Sequence, residues 1–156
     1  MKHSTRRITV RRSPIHGRGV FATRAIAAGE RVIEYRGARI PRTEALARET
    51  PGHTFLFTVN EHWAIDGDER GNSARWINHG CAPNCVATVY VDINGDESRD
   101  RVFIEALRAI RAGEELTFDY AIELPVAHTA ARAREWPCRC GARTCRGTLL
   151  APRGRR

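Results

Sequence analysis

The chain has 156 residues, 42% of them apolar, and a formal net charge of +8 from 26 basic and 18 acidic side chains. A chain of this length buries about two-thirds of its unfolded surface, enough for one domain with a real core and at most a small appendage. No run of about 18 apolar residues occurs and no apolar stretch follows the basic N-terminus, so the expectation is an intracellular protein with no membrane span.

In chain order, residues 8–12 are the first strand candidate, where apolar and β-branched side chains cluster. Ser-Pro-Ile-His-Gly-Arg-Gly at 13–19 reads as a loop, ending in a G-x-G pair ahead of a β-rich run at 20–23. The segment "RAIAAGE" at 24–30 then recurs as "RAIRAGE" at 108–114. Each copy lies between two β-rich runs, 20–23 and 31–35 for the first, 102–105 and 115–118 for the second. Ala-Gly between such runs predicts a turn, because glycine accepts backbone angles other residues resist. Two strand–turn–strand units are therefore expected, which is too little for a repeat architecture.

"PRTEALARE" at 41–49 predicts a helix with Pro41 near its first turn, stopped by Pro51-Gly52. Strands are expected at 54–59, 63–66 and 85–93, one helical turn within 71–77, and a loop at 94–100. The Ala-rich stretch 126–135 predicts a second helix, ending before Trp136-Pro137. The sum is a mainly β domain of short strands with a cysteine-rich C-terminal patch.

Four motifs carry chemistry. "CRCGARTC" places Cys138, Cys140 and Cys145 in a C-x-C-x4-C spacing, which suits three corners of a zinc tetrahedron. In a chain read as intracellular, clustered thiols favour metal ligation over disulfides. A closed structural site needs a fourth protein ligand, and the remaining thiols are Cys81 and Cys85. "RWINHGCAPNC" at 75–85 joins an Asn–His pair to a sharp turn. Taken alone, such a pair is more often a satisfied polar turn than a ligand site. "HGRGVFA" at 16–22 lets a ligand approach the Gly17 and Gly19 backbone, a weak signal alone. "ELTFDYA" at 115–121 sets a phenol after an aromatic and an acid at a strand end.

Together and in this order, the motifs resemble the SET-domain protein lysine methyltransferases that carry a post-SET zinc segment. "HGRGVFA" is similar to the family's G-x-G segment, "RWINHGCAPNC" to its R-F-I-N-H-S-C-x-P-N-C block, and "EELTFDY" to its E-L-T-F-D-Y block. "CRCGARTCRGTLL" is similar to the post-SET segment. "IEYRG" at 33–37 and "AIDGDERGNSARW" at 64–76 fit the family pattern between them. The resemblance covers roughly residues 6 to 150. It implies a SET domain over 6–121, a post-SET segment over 134–150 and a disordered basic tail over 151–156.

The resemblance further implies a β-clip fold in which the Asn–His stretch passes beneath the final tyrosine segment as a pseudoknot. S-adenosylmethionine would bind on one face and a peptide on the other, joined by a narrow lysine channel. Cys81 would close the zinc site with Cys138, Cys140 and Cys145, leaving Cys85 free and the zinc structural. Tyr120 would be the catalytic tyrosine, with Tyr35 beside it. The channel would be lined by Tyr35, Phe55, Phe118 and Tyr120. The cofactor would be held by Gly17, Arg18, Gly19, Arg75, Trp76, Asn78, His79, Tyr120 and Leu149, with adenine near Trp76. Phe118 in place of a tyrosine implies room for more than one methyl group. Departures from the family pattern are Gly80 for the usual Ser, Trp76 for Phe, and Phe55 where many members have Tyr.

The expected partner is a lysine-containing protein, basic or associated with chromatin or a nucleoid. Asp66, Asp68 and Glu69 are candidates for steering it. The charge allows a weak nucleic-acid contact through the basic tail, or only a well-solvated arginine-rich surface. The competing readings are a zinc-stabilised basic nucleic-acid-binding module and an inactive binding module. The substrate, the degree of methylation and the oligomeric state are not encoded legibly.

Overall fold

The computed structural model describes residues 6–152, which form short strands and two short helices. These are β1 (Ile8–Arg12), β2 (Arg18–Ala22), β3 (Arg31–Glu34), β4 (Ala38–Pro41), α1 (Arg42–Arg48), β5 (Leu56–Thr58) and β6 (Trp63–Asp66). They continue as β7 (Asn78–His79), β8 (Cys85–Tyr90), β9 (Arg101–Ala106), β10 (Thr117–Phe118) and α2 (Ala130–Glu135). The expected mainly β architecture is present. Among the described residues no helix is long and apolar enough to cross a membrane. The tail expected to be disordered falls mostly on residues 153–156, outside the described residues.

Four small sheets enclose the core. β1 and β2 make an antiparallel hairpin with Arg12 opposite Arg18. β3, β9 and β8 form one three-stranded antiparallel sheet, and β4, β6 and β5 another. β7 and β10 pair in parallel over two residues. Val20, Ile26, Ile77, Ile104, Ile110 and Leu116, all essentially inaccessible, sit where these sheets meet.

The two copies of the repeated segment pair with each other. Ile26 and Ile110 exchange both backbone hydrogen bonds, at 2.9 and 2.8 Å. Around them the bonds match under exchange of the copies. Ala22 donates to Glu114 and Gly113 donates to Ala22, while Ala106 donates to Glu30 and Gly29 donates to Ala106. Gly29 and Gly113 both have positive φ, at 80° and 90°, which is why each turn ends in glycine. The echo thus encodes a local two-fold that locks β2 to the chain entering β10 and β9 to the chain entering β3.

Three boundaries differ from expectation. Residues 38–41 form a strand, so Pro41 closes β4 and caps α1 instead of lying inside the helix. β4 is an edge strand, where a missing N–H costs little. Asn78–His79 is a short strand and not only a turn. The C-terminal helix starts at Ala130, capped by the Thr129 side chain, which accepts from the Arg132 N–H. Upstream of it, His128 accepts from the Leu124 N–H and donates to the Ala151 carbonyl, which holds 122–128 out of helical form.

Candidate active site

The pseudoknot is built by side chains acting as backbone. β7 lies parallel to β10, with Thr117 opposite Asn78 and Phe118 opposite His79. Just beyond, the buried Asn84 amide donates to the Glu115 carbonyl at 2.8 Å and accepts from the Thr117 N–H at 2.9 Å, as a strand residue would. His79 Nδ1 accepts from the Tyr120 N–H at 3.0 Å, and the Tyr120 hydroxyl donates to the Ile77 carbonyl. Residues 77–84 are thereby pinned under 115–120 along their whole length.

Glycine permits two close approaches. A Cβ on Gly80 would lie 2.8 Å from both Cβ and Oγ1 of Thr117, so Thr117 fills the space a serine there would need. A Cβ on Gly19 would lie 2.2 Å from Glu115 Oε1. That oxygen accepts from the Ser13 hydroxyl at 2.6 Å and the Asn78 amide at 2.9 Å. The Asn78 amide is also directed at the His16 and Arg18 carbonyls. Asn78 and Glu115 together anchor the β1–β2 turn against β10.

Three cavities adjoin one another at this knot through shared lining residues. The inner cleft, of about 200 Å³, has Asn78, His79 and Tyr120 on one side, with Ile15 and His16 of the hairpin turn. Trp136, Pro137, Cys138, Arg139 and Leu149 close the other side. A throat of only about 20 Å³ follows, between Tyr35, Phe57, Ile77, Phe118 and Tyr120. Beyond it an outer groove carries Arg42, Glu49, Asp119 and Glu123. Thr54 borders cleft and throat; Leu56, Phe57 and Ile122 border throat and groove. Tyr120 borders all three.

Aromatic rings form the throat wall. Ring centroids step from Tyr35 to Phe57 (5.4 Å), Phe118 (6.4 Å), Tyr120 (4.9 Å) and His79 (5.4 Å). Burial pushes both phenols well above their ordinary pKa. For Tyr35 the nearby Tyr120 and Asp66 add to the effect; for Tyr120 the Glu115 charge does. Both stay protonated across the working pH range. The Tyr35 hydroxyl donates to the Phe55 carbonyl at 2.6 Å.

The four cysteines of the expected metal set converge. The sulphurs of Cys81, Cys138, Cys140 and Cys145 all lie within 4.8 Å of one another. Cys81 is 3.7 Å from Cys138 and 4.0 Å from Cys145. A tetrahedral ion with metal–sulphur bonds of about 2.3 Å has edges of about 3.8 Å, so the donor set fits. The Arg146 and Gly147 amides point at the Cys81 and Cys145 sulphurs, at 3.4 and 3.3 Å. His79 Nε2 lies 3.3 Å from Cys81. With Nδ1 accepting from Tyr120, this nitrogen carries the proton, linking the sulphur site to the tyrosine. Cys85 is buried in the core outside the cluster, its thiol pushed up to about 12 by desolvation.

Other expected site residues lie elsewhere. Phe55 is not in the throat; Phe57 is. The β5 ladder begins at Leu56, so residue 55 is still turning, its carbonyl occupied by Tyr35 and Gly67 and its ring edge-on to Trp76. Trp76 does not border the cleft. Its ring lies between the guanidinium groups of Arg18 and Arg75, at 5.4 and 4.8 Å. The aromatic that borders the cleft is Trp136, buried where the post-SET chain folds back. Arg75 borders the throat instead. Gly17, Arg18 and Gly19 do not border the cleft, whereas Ile15 and His16 of the same turn do. Asp66 is buried and bound by Arg48 at 2.8 Å, and Glu69 lies 3.5 Å from the same arginine, so neither is free for steering. Glu115 and Asn84 were legible only as motif members, and Trp136 only as the end of a helix, without these contacts.

Residues 17–121 match the SET domain family. The chain is 39% identical over 155 residues to the histone-lysine N-methyltransferase set-2 of Caenorhabditis elegans, covering 96% of this chain and 10% of that protein. It is 42% identical over 144 residues to the H3 lysine-4 specific histone-lysine N-methyltransferase of Saccharomyces cerevisiae, covering 88% and 13%. To the histone-lysine N-methyltransferase trithorax of Drosophila virilis it is 41% identical over 147 residues, covering 91% and 4%. The chain thus spans about a tenth of the length of the curated relatives it matches. Its pseudoknot, its adjoining cleft, throat and groove, and the matched residues have one common conclusion: the chain belongs to the SET-domain family.

Proposed function

We propose that the protein is an S-adenosylmethionine-dependent protein-lysine N-methyltransferase. The observation that carries this reading is the set of three adjoining cavities, with Tyr120 common to all of them. A donor on one face and a peptide on the other meet only through the throat, which fixes their approach. S-adenosylmethionine, when bound, supplies an electrophilic methyl group on a sulfonium. The cleft of Asn78, His79, Trp136 and Leu149 fits it, with one polar side and one aromatic side.

The chain's own groups do the rest. Tyr35, Phe57 and Phe118 hold the aliphatic stem of a lysine. A free lysine amine has a pKa of about 10.4 and is mostly protonated at neutral pH. Desolvation among the aromatic rings of the throat, with the Arg75 guanidinium on its border, disfavours that charge, so the amine is delivered neutral. The Tyr120 hydroxyl and the Ile77 carbonyl are placed to orient the amine. Zinc on Cys81, Cys138, Cys140 and Cys145 has a structural role, holding Trp136 and Leu149 as one wall of the cleft. Glu49 and Glu123 in the outer groove favour a basic peptide, and the names of the relatives make a histone-like protein the first substrate to test.

Lys2 is the sole lysine in the chain, so self-labelling is confined to one residue. Incubation with methyl-labelled cofactor and a histone-like basic protein should label lysine. Tyr120→Phe should lower kcat by about 10²–10³-fold while leaving cofactor affinity within a few fold. Wild-type protein that binds cofactor but labels no lysine on any basic protein would overturn the reading.

A further inference from the structure

The basic charge is segregated. Residues 6–24 hold six arginines and no acid, and residues 132–146 hold five arginines against Glu135. Between them, residues 25–131 hold eleven arginines against seventeen acids, a net −6. A surface arginine-rich only for solubility intersperses the two signs; this one separates them.

The segregated arginines are exposed and largely unmatched. In the first set only Arg7 has an ion pair among the described residues, with Glu30 at 3.1 Å; in the second only Arg146 does, with Asp119. Arg6, Arg11, Arg12, Arg18, Arg24, Arg132, Arg134, Arg139 and Arg143 are all exposed. Two are already ordered: Arg11 lies 4.1 Å over the Phe21 ring and Arg18 lies over Trp76. The two sets also meet in space, because Ile15 and His16 at the hairpin turn and Glu135, Pro137 and Arg139 after α2 border the same cleft. Arg12 and Arg18 face each other across the base of that turn.

We propose that the β1–β2 hairpin and the post-SET segment form a docking surface for duplex DNA, read through its phosphate backbone. The fit is one of charge and shape. The hairpin is a stiff ribbon about 16 Å long, with arginines at both ends. A duplex presents one phosphate charge about every 1.7 Å of its axis. The surface lies on the folded body, not on the C-terminal tail. The acidic middle of the chain, with Glu49 and Glu123 in the outer groove, is left to the basic protein substrate. Docking in this way places the enzyme beside proteins already bound to DNA. The DNA contact stands independently of the methyl-transfer reading.

Fluorescence anisotropy with a labelled mixed-sequence duplex of about 20 base pairs tests it, with salt varied between about 50 and 200 mM. The full chain should bind, with log K falling linearly in log salt. Arg11→Gln/Arg12→Gln/Arg24→Gln should reduce that slope by about 2.7, the value for three lost phosphate contacts. Arg31→Gln/Arg36→Gln/Arg99→Gln removes the same net charge from the middle of the chain and should leave the slope unchanged. Arg132→Gln/Arg134→Gln/Arg143→Gln provides a second reduction that does not depend on the hairpin staying folded. The proposal is overturned by equal slopes for the first two variants, by no binding at the lowest salt, or by tighter binding to phosphatidylserine vesicles than to duplex.

Discussion

At the scale of single residues, the site depends on pairs that exclude each other's alternatives. Thr117 occupies the space where Gly80 lacks a side chain. Gly80→Ser is therefore expected to cost about 1–3 kcal/mol by overpacking. Thr117→Ala in that background should restore most of the loss, as read by urea denaturation of the singles and the double. A neutral Gly80→Ser would mean the contact is slack. Asn84 makes the complementary case, since its removal orphans the Glu115 carbonyl and the Thr117 amide. Asn84→Leu should lose about 2–4 kcal/mol, more than a surface asparagine would. The motifs, read together through their resemblance to the family, pointed to Tyr120, His79 and the cysteines. They did not distinguish Phe57 from Phe55 or Trp136 from Trp76. Which of two neighbouring aromatics faces a cavity depends on where a ladder begins and where a distant segment folds back, and neither is local information.

Elements were legible where apolar and β-branched side chains cluster or alternate along the chain. β1, β6 and β9 match their apolar patterns closely, whereas β4 and β7 were missed. β4 contains an arginine and a proline, and β7 is two polar residues held by parallel pairing with a strand far along the chain. The β3–β9 pair gives a test at this scale. Arg101 grips Glu34 through two nitrogens at 2.9 and 2.8 Å, and Arg36 adds a third contact at 3.0 Å. Chiefly through Arg101, the Glu34 carboxyl is held down at about 2, from an ordinary value of 4.5. Because the folded-state value is the lower one, the unfolded chain binds more protons between these values. The ion pair thus stabilises fully above pH of about 4.5, and its contribution is lost as pH falls towards 2. Glu34→Gln should destabilise by about 1 kcal/mol at pH 7 and by only about a quarter of that at pH 2.5, the difference being read from thermal melts at both values. Equal losses at both would show that the carboxylate charge is not what holds the strands.

The whole molecule is a small core around which two distant segments are closed by sulphur chemistry. Cys81 belongs to the knot and the other three thiols to the C-terminus, so a metal bound by all four would hold the Trp136 wall of the cleft in place. Chelation should expose Trp136, with a red shift of its fluorescence, and should weaken cofactor binding at least tenfold by calorimetry. Re-addition of zinc should reverse both. Retention of cofactor affinity by the metal-free protein would separate the cleft from the cysteine cluster. The repeated "RAI-x-AGE" segment shows how much whole-molecule information a sequence can hold unread. Its two copies were legible as turns, but their mutual pairing about a local two-fold needs both in space at once. The most direct test of the throat between cleft and groove is a crystal structure of the protein with S-adenosylhomocysteine and a lysine-containing peptide. The cofactor sulphur should lie at the inner mouth beside Tyr120 and His79, with the lysine stem between Tyr35, Phe57 and Phe118. A peptide amine reaching the cofactor by any other path, or a cofactor bound outside the wall formed by Trp136 and Leu149, would contradict it.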